Sequence, residues 1–124
     1  MLSQNEVKQW HFGNKAGLNF LTNPPTPITT SSVNSTNLSL FATSSMADAN
    51  GNLLFYTNGK NIWNSNNNIM ANGTGLISGN TMQTNISLKK PGSSNLYYIF
   101  TTSHQIPSGL YYNVVDMNLA SGLG

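Results

Sequence analysis

Cysteine and arginine are both missing from this chain. Charge of either sign is scarce: five lysines stand against three carboxylates in 124 positions, 6% charged residues in all, where an average soluble domain carries about 25%. Without cysteine there are no disulfides and no thiolate metal sites. Nucleic-acid recognition draws on clustered cations and gains most from arginine. Here the lysines are scattered apart from Lys89 and Lys90, and the net charge of +2 is a small balance rather than a footprint, so nucleic acid is not an expected partner. Long apolar runs are lacking too. No segment approaches the ~18 consecutive apolar residues of a membrane span, and the opening MLSQNEVKQW holds no apolar stretch of the kind that an export signal needs. The chain therefore reads as cytosolic or as recorded without its export signal.

Polarity comes instead from asparagine, serine and threonine. There are 20 asparagines and 11 glycines, a composition that favours turns between strands over solvated helices. Hydrophobic residues make up 38% of the chain, with five Tyr, five Phe and two Trp, enough for a core rather than disorder. In QWHFGNKAGLNF, Trp10 and Phe12 alternate with His11 as on a strand, and Gly-Asn-Lys-Ala-Gly interrupts before LNFL. The prolines of TNPPTPITTSSVNSTN predict a loop, Pro25 and Pro27 excluding a central strand. LSLFATSSMA, from Leu38 to Ala47, has strand character. Asn50-Gly51 and Asn58-Gly59 are hairpin signals on either side of NLLFYT, which is apolar on both faces, as in a strand covered on both sides. KNIWN and IMAN follow as short strands. A further strand is expected near TNISLKK, then NLYYIFTT and LYYNVVDMNL. No stretch carries a sustained 3.6-residue apolar stripe, so helix should be nearly absent.

Asn52-Leu53 and Asn95-Leu96 open two similar strands 43 positions apart. A period in the low forties with about four strands per unit is the pattern of a β-propeller blade; a small β-sandwich is the alternative from spacing. The ordered set WHFGNKAGLNF, NGNLLFYTNGKNIWN, MANGTGL, KKPGSSNLYYIFTT and GLYYNVVDMNLASGLG resembles the N-terminal propeller-like region of large secreted surface proteins of gliding bacteria, the kind that carry a gliding-motility-associated C-terminal sorting domain. The resemblance runs from about Trp10 to Gly124. It implies an all-β fold, an antiparallel meander forming about two blades of a propeller, with residues 10–70 as a first blade and 71–124 as a second, incomplete one, within a single partial domain of residues 1–124. It also implies an exported protein, secreted or held at the cell surface, whose other blades and whose export signal lie outside this chain.

Groups able to move protons, attack or hold a metal are few: Glu6, Asp48, Asp116, His11, His104 and the lysines. Nothing in the spacing pairs Asp48 with Asp116 as glycoside hydrolysis requires, and there is no GxSxG elbow. DANGN loosely resembles a calcium loop but lacks the further carboxylates, and Asx-Gly turn chemistry accounts for it. His11, between two aromatics, is expected to face outward from its strand. His104, in the polar loop SHQIPSG, is a candidate ligand contact set against ordinary solvent exposure. The aromatics Tyr56, Trp63, Tyr97, Tyr98, Tyr111 and Tyr112 are expected to pack between sheets, with Trp63 the candidate among them for touching a ligand. No catalytic residue, metal ligand or cofactor is expected. The function that follows is a non-catalytic binding or scaffold module, in adhesion or in recognition of a polysaccharide or protein. The alternative is part of a carbohydrate-active enzyme whose acids lie beyond this chain. A propeller fragment leaves a sheet face bare, so self-association is expected of the chain alone.

Overall fold

A computed structural model describes residues 4–33, 42–80, 83–105 and 107–124. The chain is all-β. Apart from one 3₁₀ turn at Asn5–Val7, the regular structure of the described residues consists of nine strands: β1 (Gln9–Phe12), β2 (Ala16–Asn19), β3 (Thr26–Ile28), β4 (Ser44–Ala47), β5 (Leu53–Thr57), β6 (Ile62–Asn64), β7 (Asn85–Lys89), β8 (Leu96–Ser103) and β9 (Gly109–Asp116). They form three antiparallel meanders in chain order: β1-β2-β3 (sheet 1), β4-β5-β6 (sheet 2) and β7-β8-β9 (sheet 3). Sheets 2 and 3 contain the two similar segments noted in the sequence. The part of LSLFATSSMA from Leu38 to Phe41 lies outside the described residues.

The hairpins sit where the turn chemistry places them. Gly51 and Gly59 adopt φ of +87° and +84°, values that glycine reaches without the penalty of a Cβ. Before Gly51, the Asp48 carboxylate accepts hydrogen bonds from the backbone N–H of Asn50 at 2.8 Å and of Asn52 at 2.9 Å, closing the turn locally. The proline-rich segment departs from expectation in part. Thr26–Ile28 does pair, with Pro27 opposite Leu18. It does so at the edge of sheet 1, where a residue without an N–H leaves no ladder bond unmade.

The sheets stack face to face, with sheet 2 in the middle. The side chains of β5 consequently divide between two cores. Phe55 joins Met46, Ile62, Met70, Tyr97, Ile99, Val115 and Met117 between sheets 2 and 3. Tyr56 joins Trp63 and Val33 on the opposite face, toward sheet 1. The expectation of a strand covered on both sides is met: Phe55 and Tyr56 are both fully buried. The first strands of the three sheets lie side by side, β1 against β4 and β4 against β7. Hydroxyls tie them together. Ser45 Oγ donates to the Gln9 carbonyl, and the Ser44 and Ser87 hydroxyls are 2.7 Å apart. The Asn85 amide reaches the Ala42 carbonyl at 2.9 Å.

One strand faces the other way from its sequence reading. His11 points inward and is 3% exposed, whereas Trp10 and Phe12 point outward. The inward side of β1 meets Tyr56 of sheet 2, and the His11 ring lies flat on that phenol with centroids 4.1 Å apart. Alternation divides a strand into two faces without saying which face meets the next sheet.

Candidate functional site

Trp63 is set by β6, the last strand of the middle sheet. The residue is 3% exposed, and its indole stacks on Tyr56 with centroids 5.4 Å apart and planes 15° from parallel. Tyr56 in turn stacks on His11, so three rings, His11, Tyr56 and Trp63, form a column between sheets 1 and 2. The phenol of Tyr56 fixes the column from one side: it accepts a hydrogen bond from the Ser32 N–H and donates one to Asn67 Oδ1, both at 2.8 Å. Ser32 Oγ also donates to the Asn67 carbonyl at 2.9 Å. These bonds hold the Thr29–Val33 segment against the turn at residues 65–68.

Between that segment and β6 is a cleft of about 610 Å³, lined by Lys15, Thr29, Thr30, Ser31, Ser32, Asn61, Trp63 and Ile69. Trp63 adds little exposed surface to it, because one face of its indole is stacked on Tyr56 and the residue is 3% exposed. Lys15 is exposed and belongs to the β1–β2 turn, where its φ is +58° and its N–H donates to the Val33 carbonyl at 2.6 Å. The lining is thus one ammonium, several hydroxyls and an amide, beside Ile69, which is 48% exposed. Such a surface can hydrogen-bond a neutral or weakly acidic polar chain. The described lining brings no carboxylate and no histidine into it.

His104 lies elsewhere. It is exposed, in the connection between β8 and β9, and its Nδ1 sits against Gly79, where an added Cβ would come within 3.2 Å. The Gly79 N–H donates to the Thr102 carbonyl at 2.7 Å. Trp63 and His104, the two ligand contacts suggested by sequence, therefore belong to different sheets and are not brought together. Among the described residues no three His, Asp or Glu side chains gather as a metal-ligating group, and no helix is long and apolar enough to cross a membrane.

Sequence reasoning placed His11 on the outward face of its strand, whereas the structure buries it. Neither ring nitrogen has a hydrogen-bond partner among the described residues, and burial lowers its pKa from 6.5 to about 4, so the imidazole is neutral at pH 7. Asp48 shifts downward: burial opposes ionisation, but hydrogen bonds from the Asn52 side chain and from the backbone of Asn52, Asn50 and Gly51 outweigh it. Tyr97 moves upward, through burial first and then the negative charges of Asp48 and Glu6. Comparison of the chain with protein-family models, with curated proteins and with solved structures finds no match in any of the three.

Proposed function

We propose that this chain is a non-catalytic binding module, propeller-like in architecture, that belongs to a secreted or cell-surface bacterial protein and recognises a polysaccharide. The observation that carries the reading is the cleft between sheets 1 and 2, with its hydroxyl-rich rim, the single ammonium of Lys15 and Trp63 in its wall. Polar groups on a preformed rigid wall, presented from loops on a sheet scaffold, suit a hydroxyl-rich ligand better than an apolar one. The side-by-side first strands of three face-to-face sheets support the propeller-like architecture, in which short strands repeat about an axis. The resemblance to surface proteins of gliding bacteria supports the location.

The test is a binding screen of the 124-residue chain against neutral and acidic bacterial polysaccharides, read by calorimetry. Binding that Lys15→Ala and Thr30→Ala weaken several-fold, with the far-ultraviolet spectrum unchanged, is the expected result. Failure to bind any polysaccharide, binding that both variants leave untouched, or release of cleaved sugar would overturn the reading.

A further inference from the structure

Both ends of the three-sheet stack are bare and apolar. Beyond sheet 3, the face away from sheet 2 carries Ile86, Leu88, Tyr98, Phe100, Tyr112 and Val114. The register makes this one continuous surface: Ile86 stands opposite Phe100 and Leu88 opposite Tyr98, while Phe100 stands opposite Tyr112 and Tyr98 opposite Val114. Tyr112 is 65% exposed. At the other end, sheet 1 turns Trp10, Phe12 and Leu18 away from sheet 2, and Trp10 is 52% exposed. Monomers rarely leave contiguous apolar patches of more than a few hundred Å² in water. Neither set of residues includes a charged side chain.

The internal packing says what fits. Sheet 2 sits on sheet 1, and sheet 3 on sheet 2, by one repeated step: the forward face of each sheet meets the backward face of the next. Met46 and Phe55, on the forward face of sheet 2, pack on Tyr97, Ile99 and Val115 of sheet 3. Leu88 opposite Tyr98 holds the same place in sheet 3 as Met46 opposite Phe55 in sheet 2. The exposed face of sheet 3 is therefore a forward face lacking its next sheet, and the exposed face of sheet 1 is a backward face lacking its previous one. The stack is also curved. Trp10 and Phe12 from one end and Ile86 and Leu88 from the other wall the same cavity of about 430 Å³, floored by Ser44, Ser45 and Ser87 of the inner strands.

We infer that a second copy of this chain covers both faces, sheet 3 of each copy seating on sheet 1 of the other, so that two copies close a ring of six sheets. Propeller rings hold about four to eight blades; two copies fall inside that range and three do not. Area points the same way. With about 4.8 Å between strands and ~3.3 Å per residue, the four-residue strands of sheet 1 cover a patch of about 13 by 14 Å. One such contact buries about 360 Å² over its two sides, whereas the two contacts of a closed ring bury about 730 Å², much nearer the roughly 1,000 Å² of a specific interface. The contact is heterologous, so only closure prevents open-ended growth.

The inference rests on the propeller-like architecture proposed above but not on the ligand. Its test is the mass of the 124-residue chain by size-exclusion chromatography with light scattering, from 1 to 200 µM. The expected result is twice the chain mass, constant over the upper part of that range. Tyr112→Glu and Trp10→Glu, which alter opposite ends of the stack, should each halve that mass. Tyr112→Ser and Trp10→Ser repeat the test more mildly, with circular dichroism confirming the fold, and Ser94→Glu on the β7–β8 connection should leave the mass unchanged. A wild-type monomer at 200 µM, a mass that grows without limit, or a dimer that survives the Trp10 substitutions, as one formed through sheet 3 alone would, overturns the inference. A monomer that still binds polysaccharide overturns the ring alone. A ring that binds none overturns the polysaccharide reading alone.

Discussion

His11 lies face to face with Tyr56, ring centroids 4.1 Å apart and planes 10° from parallel. The pair crosses the contact between sheets 1 and 2, and it gives that contact a pH dependence. Burial lowers the His11 pKa from 6.5 to about 4. In the unfolded chain the imidazole takes up its proton near 6.5, while in the folded chain it resists protonation until about 4. Between those values the unfolded state binds more protons, so stability falls as pH falls through that window and levels off below it as far as this group is concerned. The loss is below about 3 kcal/mol, the ceiling set by the shift. Denaturant titrations at pH 7 and pH 4.5 measure it. His11→Phe keeps an aromatic ring on Tyr56 and removes the titration, so its stability should change far less between the two pH values. Asp48, whose carboxyl is held below its usual range, adds an acid sensitivity that this variant retains at lower pH.

The same substitution changes stability at neutral pH. Neutral imidazole carries one donor and one acceptor, and both nitrogens are buried without partners among the described residues. A buried polar group left unsatisfied costs about 1–3 kcal/mol. His11→Phe is therefore expected to stabilise the chain at pH 7 by about 1 kcal/mol, seen as a higher denaturation midpoint with the same slope. A lower midpoint would mean that the larger ring does not fit between Tyr56 and β1.

Tyr56→Phe has the opposite sign. The Tyr56 hydroxyl accepts from Ser32 and donates to Asn67 at 2.8 Å each, so its removal leaves a backbone N–H and an amide oxygen short of a partner. A loss of about 1–3 kcal/mol is expected. Amide exchange should quicken at Ser32 and Val33 more than in β8, because those residues lose their anchor while sheet 3 does not.

How much of this was legible in the sequence differs from sheet to sheet. Sheet 2 is legible because Leu53-Leu54-Phe55-Tyr56 is apolar at consecutive positions, which only a strand covered on both faces accommodates. Its turns are legible because Asn-Gly pairs name their own geometry. Sheet 1 is less so: β2 is AGLN, β3 contains Pro27, and neither carries the β-branched or aromatic pattern of the later strands. The direction of β1 was not legible at all. Trp10 and Phe12 are larger and more apolar than His11, and local hydrophobicity alone would bury them. The face toward sheet 2 instead takes the ring that stacks on Tyr56, and the tryptophan is left at the end of the stack. The hydroxyl-lined cleft escaped notice for a related reason: it unites Lys15, Thr30 and Trp63, residues far apart in the chain that belong to no shared motif.

Gly17 marks a close approach within sheet 1. It pairs with His11 and Ile28, and a Cβ placed there would fall inside van der Waals contact with the Trp10 carbonyl oxygen and 3.1 Å from Ile28 Cβ. Backbone cannot swing aside as a flexible side chain does. Gly17→Ala should destabilise the chain by about 1–3 kcal/mol, as overpacking does. Gly75→Ala, at an open position with φ +73°, serves as a comparison in which only the backbone conformation is penalised, by about 1 kcal/mol. The difference between their denaturation midpoints isolates the clash.

Trp63 decides between two uses of the same aromatic. A tryptophan that serves a ligand tolerates removal with its fold intact; one that serves the core does not. Trp63 is 3% exposed and stacked at the end of the His11–Tyr56 column, so Trp63→Ala empties a large volume between the middle sheet and the Val33 segment. A loss of about 3–5 kcal/mol is expected, a large share of the stability of a domain this size. The near-ultraviolet signal of the stacked rings should fall with it. Trp63→Phe retains the stack, loses less stability, and removes the indole from the cleft wall. If Trp63→Phe keeps the fold but weakens polysaccharide binding, the indole contributes to recognition as well as to the core. If binding is unchanged, recognition belongs to Lys15 and the hydroxyls, and Trp63 acts only by holding their wall in place.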